Sequence, residues 1–132
     1  MRMLTRAGAV FILLQGMHSA IAMAVCACEG GTGSLEDRLD TYDEIFVGKP
    51  RGGCGCGTRT TTFEVLESFK GTPVGEEVDV THRVDEDSCG VTFYASDDYL
   101  VYVLGGQTDR CDPGGAATEN SREIADLREL TQ

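Results

Sequence analysis

Cys26 and Cys28 stand one residue apart in Val25-Cys26-Ala27-Cys28, and a thiol can crosslink, ligate a soft metal or act as a nucleophile. In an extended segment, residues i and i+2 point to one face with Cα atoms about 6–7 Å apart, near the upper limit for a disulfide. The two are therefore expected to bond distant cysteines rather than each other, pinning the segment at two points. Cys54 and Cys56 form a second pair, inside Gly52-Gly53-Cys54-Gly55-Cys56-Gly57. With His82 they could offer three metal ligands, but a structural zinc site takes four at recognisable spacing. They read instead as a bonded pair, a link to another chain, or free thiols. His82 is the only histidine after residue 24 and reads as a surface or half-buried strand residue rather than a general base. No serine stands in a nucleophile-elbow setting, and no glycine loop carries a phosphate-binding lysine. The expectation is a chain that is not an enzyme, with no cofactor and no metal of its own.

The compartment follows from the first 24 residues. Arg2 and Arg6 precede the short apolar run Ala7–Leu14, and Ala22-Met23-Ala24 supplies small residues suited to signal peptidase. The run is too short to span a membrane. Residues 1–24 are thus expected to be a signal peptide and 25–132 a single domain, secreted or periplasmic, with room for one modest core. All six cysteines fall in this domain, as in a disulfide framework of an exported chain. Removing the signal leaves 9 basic residues against 22 acidic ones, a net charge of −13. Such a surface repels phosphate backbones and anionic lipid, so neither nucleic acid nor membrane is an expected partner. The acidic clusters 85–87 and 97–98 lack the spacing and glycine of a calcium loop and read as solvated turns.

The elements that must position the cysteines are short. Ser34 with Asp37 three residues on predicts a helix over 35–41. Residues 43–49 read as a first strand ended by Gly48 and Pro50, and 60–69, with Phe63, Val65 and Phe69 alternating, as a second. Residues 77–82 alternate as a third. An acidic turn leads into Cys89–Tyr94, and Tyr99–Leu104 is apolar enough for a central strand buried on both faces. Residues 111–115 read as irregular. Asn120-Ser121-Arg122-Glu123 reads as a capping box for a terminal helix whose Ile124, Leu127 and Leu130 share a face. Five short strands with a helix before and after predict a mainly β fold, a five-stranded barrel of the OB type. A plain five-stranded α+β sandwich is the alternative.

The order of Cys26-Ala27-Cys28, Tyr42–Lys49, Phe63-Glu64-Val65-Leu66, Phe69-Lys70-Gly71, Cys89-Gly90, Tyr99-Leu100-Val101-Tyr102 and Cys111 resembles the netrin-type module. That OB-fold domain is shared by the tissue inhibitors of metalloproteinases, complement and netrin tails, and bacterial relatives. The likeness spans nearly all of 26–130. It implies that Cys26 pairs with Cys89 and Cys28 with Cys111, leaving Cys54 and Cys56 without a counterpart. It also implies a protein partner, held by Cys26, Ala27 and Cys28. In the family's inhibitors the partner is a zinc metalloprotease, and the first cysteine's α-amino nitrogen and carbonyl oxygen chelate its zinc, displacing the water the metal would activate. Cleavage after Ala24 would leave Val25 in front of Cys26, turning that nitrogen into an amide without an available lone pair. Cleavage after Val25 would expose it. An inhibitor and a binding module without inhibitory activity are thus the two functional expectations.

Overall fold

The computed structural model describes residues 26–28, 33–52, 58–85 and 89–132. The expected signal segment, Cys54 and Cys56 lie outside the described residues.

Five antiparallel strands form one sheet in the order β3-β2-β1-β4-β5: β1 (Glu44–Arg51), β2 (Thr58–Lys70), β3 (Glu77–Arg83), β4 (Tyr99–Val103) and β5 (Gly114–Ala116), with α1 (Leu35–Thr41) before them and α2 (Ser121–Thr131) after. All five residues of β4 are buried, because both faces of the sheet are covered. Tyr99, Val101 and Val103 join Phe46, Phe63, Val65, Val80 and Phe93 on one face. Leu100 and Tyr102 join Tyr42, Ile45, Val47, Ile124 and Leu127 on the other, where both helices lie. The fold is mainly β, as expected, but the sheet does not close into a barrel. The edge strand β3 is bridged instead to the loop after β4, where the Thr81 amide donates to the Gly106 carbonyl (2.9 Å) and the Thr108 amide to the Thr81 carbonyl (3.1 Å).

Helix α1 begins as expected: the Asp37 amide donates to the Ser34 hydroxyl (3.2 Å) and the Ser34 amide to the Asp37 carboxylate (3.0 Å). Other expectations need correction. Strand β1 continues through Gly48 to Arg51. Pro50 fits because it lies beyond the last β1–β4 pair, Gly48 with Tyr99, where only β2 runs alongside. Residues 91–94 are not a strand, since their amides leave the ladder: Val91 donates to the Arg83 carbonyl (2.8 Å) and Tyr94 to the Tyr99 hydroxyl (2.9 Å). The fifth strand is instead Gly114–Ala116, within and just past the stretch read as irregular. Gly114 has φ +102°, and a Cβ there would meet the Leu100 carbonyl oxygen at 2.3 Å. Only a residue without one can bring this edge onto β4. Helix α2 forms without the expected box. The Asn120 amide side chain donates back to the Ala116 carbonyl (2.8 Å), and Glu123 turns inward to Tyr102 and Arg38. Leu130 does not share the buried face, being 44% exposed.

Candidate functional site

Cys26 is bonded to Cys89 and Cys28 to Cys111, the pairing that the resemblance implies. The bridges close separations of 63 and 83 residues; in the chain-entropy model each contributes about 4–5 kcal/mol, an upper bound that does not add across the two. They fasten the 26–28 segment to the loops bearing Cys89 and Cys111. Ala27 and Cys28 remain exposed on a short ridge, while Cys26, Cys89 and Cys111 are half-buried.

Each anchor is itself held. Cys89 adopts φ +60°, a left-handed conformation that costs a side-chain-bearing residue about 1 kcal/mol or more. Its neighbour enforces it: the Gly90 amide donates to the Asp85 carbonyl (2.8 Å), and a Cβ at Gly90 would collide with the Asp85 backbone at 2.6 Å. Cys111 sits on a turn closed by two aspartates. Asp109 accepts at Oδ1 from the Cys111 amide (2.7 Å), and Asp112 at Oδ2 from the Asp109 amide (2.8 Å). Asp112 Oδ1 accepts from the Tyr42 hydroxyl (2.8 Å), docking the turn on the second core layer. Burial first, then this carboxylate, holds the Tyr42 phenol well above its ordinary pKa. The Arg110 amide donates to the Cys89 carbonyl (2.9 Å), so the two anchoring loops also hold each other. Sequence reading missed Tyr42, Asp109 and Asp112 as positioning residues. Asp109-Arg110-Cys111-Asp112-Pro113 is a turn signal that could have flagged the last two.

Beside the Cys26–Cys89 bridge opens a cleft of about 600 Å³, bounded by Thr81, His82 and Arg83 at the end of β3, by Cys89, and by Leu104, Gln107, Thr108, Asp109 and Asp112. Leu104 is half exposed on its rim.

His82 is not a surface or half-buried residue; it is 2% exposed. Its Nδ1 faces the Arg83 carbonyl (3.2 Å) and its Nε2 the Thr61 hydroxyl (2.7 Å). The neutral ring therefore donates from Nδ1 and accepts at Nε2. Phe93 meets the ring edge to face at 4.9 Å. Both nitrogens are engaged, so metal ligation or base catalysis would first have to break one of these bonds. Burial depresses the His82 pKa below its ordinary 6.5, helped by the nearby Arg59 charge and opposed by the carbonyls of Arg83 and Val91. Above pH 6.5 the residue is neutral folded and unfolded; below it the unfolded chain takes up the proton first, so stability is lost as pH falls toward the folded-state pKa. The slope is at most about 1.4 kcal/mol per pH unit. Urea unfolding of the wild type and His82→Gln between pH 7.5 and 5 is expected to show the difference in their stabilities shifting against the wild type in acid. Parallel curves would contradict the assignment.

No family model matches the chain, and no curated protein matches its sequence. Among the described residues no helix is long and apolar enough to cross a membrane, and the two disulfides are compatible with an extracellular or periplasmic location.

Proposed function

We propose that the chain is an exported, non-catalytic binding domain of netrin type whose Cys26-Ala27-Cys28 ridge docks into a protein partner. One observation carries this reading: a three-residue segment, exposed at Ala27 and Cys28, is covalently fixed at both ends to loops that are themselves held by hydrogen bonds, beside an open cleft. Such a ridge has little conformational entropy left to lose on association. In the inhibitory form the partner is a zinc metalloprotease, and the Cys26 amine and carbonyl take the position of its metal-bound water. A terminal amine with a pKa of about 7.7–8.0 is partly neutral near pH 7.5 and can donate its lone pair. Cleavage after Ala24 favours the alternative, a binding module without inhibition, because Val25 then occupies the terminus.

N-terminal sequencing of the exported protein distinguishes the two, combined with titration of the Cys26-initiated and Val25-initiated forms against zinc metalloproteases. The Cys26 form is expected to block peptide hydrolysis and the Val25 form to lose at least two orders of magnitude in potency. Equal potency, or no inhibition by the Cys26 form, would rule out the zinc-directed mechanism. Capture of a partner by the wild type but not by a chain truncated through Cys28 would still support the ridge as a docking element.

A further inference from the structure

The two disulfides are in contact with each other. Cys111 Sγ lies 3.8 Å from Cys89 Sγ and 3.9 Å from Cys26 Sγ, and these three sulfurs all fall within 4.8 Å of one another. Two sulfurs at van der Waals distance need little movement to exchange once one is a thiolate. We propose that the paired bridges form a thiol-exchange site, whose substrate is an external dithiol and whose product is a chain with its N-terminal ridge released. This inference does not depend on the ridge having a protein partner.

The order of steps follows from exposure and from the fixed loops. Cys28 is the exposed cysteine of the four, so the incoming thiolate attacks its sulfur, forming a mixed disulfide and expelling Cys111 as thiolate. Cys111 then attacks Cys89, forming Cys89–Cys111 and expelling Cys26 as thiolate. The second thiol of the reductant resolves the mixed disulfide, leaving as its own cyclic disulfide and returning Cys28 as a thiol. One dithiol is oxidised, the chain gains two electrons and two protons, and one of the paired bridges is lost. Attack by Cys111 on Cys26 is equally close but less favourable. It would keep the tail ordered, whereas the loops bearing Cys89 and Cys111 are already joined by the Arg110 amide to the Cys89 carbonyl. Two electrons, rather than four, therefore detach both tethers of the ridge.

The experiment uses the mature chain with Cys54→Ser and Cys56→Ser, so that four cysteines remain. It is treated with one equivalent of dithiothreitol, quenched in acid, alkylated and peptide-mapped. The two-electron-reduced species is expected to carry label on Cys26 and Cys28 and to yield a crosslinked Cys89–Cys111 peptide pair. Label on Cys28 and Cys111 with Cys26–Cys89 intact would overturn the proposal, as would label on Cys26 and Cys89 with Cys28–Cys111 intact. A second variant needs no reductant. Adding Cys28→Ser leaves Cys111 unpaired, and alkylation is expected to divide between Cys111 and Cys26 as pH rises through the thiol range. Label on Cys111 alone at every pH would show that the sulfurs do not exchange.

Discussion

Phe63→Ala is expected to lower the free energy of unfolding by about 3–5 kcal/mol, the range for removing a fully buried aromatic ring. Phe63 is 0% exposed and meets Phe46 and Phe93 edge to face at centroid distances of 5.7 and 4.9 Å. Phe93 in turn meets His82 and Tyr99, each at 4.9 Å. The rings around the vacated space are thus fixed on β1, β3, β4 and the 89–98 connection, and none can move in without giving up another contact. That connection begins at Cys89, so the loss should also loosen one anchor of the ridge. Urea unfolding of the wild type, Phe63→Leu and Phe63→Ala measures it. Leucine should lose clearly less than alanine. A loss below about 1 kcal/mol for alanine would mean that this face of the sheet does not form the core.

Side-chain pattern made some elements legible and left others silent, for physical reasons. The apolar run Tyr99–Val103 announced a strand covered on both faces because its side chains alternate between two core layers. Ser34 and Asp37 announced α1 because a capping box is local chemistry. β5 could not be read in this way. Gly114 and Gly115 carry no side chains to alternate, and the strand exists because their backbone alone fits against Leu100. Val91 and Phe93 gave the opposite error: they alternate as a strand would, yet Val91 packs against the core and Phe93 lies within it while neither belongs to a strand. His82 was placed too near the surface because polarity ordinarily tracks exposure. Its ring is satisfied by the adjacent Arg83 carbonyl and by Thr61, which only the β2–β3 register brings beside it. The cysteine pairing was legible only through the resemblance, and the contact between the two bridges was not legible at all. It is found between loops 22 residues apart at their cysteines, which the Arg110–Cys89 backbone bond also joins.

Cys26→Ser/Cys28→Ser is expected to cost about 2–5 kcal/mol, the usual range for losing a native bridge in a small exported domain. The interpretation depends on what the abandoned partners do. Cys89 and Cys111 are left 3.8 Å apart on loops that already hold each other, and in an oxidising compartment they should pair. The variant then exchanges crosslinks of 63 and 83 residues for one of 22, while the two anchoring loops stay closed. Its deficit therefore reports the tail rather than collapse of the Asp109–Asp112 turn or of the left-handed Cys89 position. Unfolding curves should remain cooperative, and thiol titration of the variant in a Cys54→Ser/Cys56→Ser background should find no reactive sulfhydryl. Two reactive thiols would mean that the loops part once the ridge is removed. In that case the N-terminal segment is what draws Cys89 and Cys111 together, and the exchange site exists only while both tethers are intact.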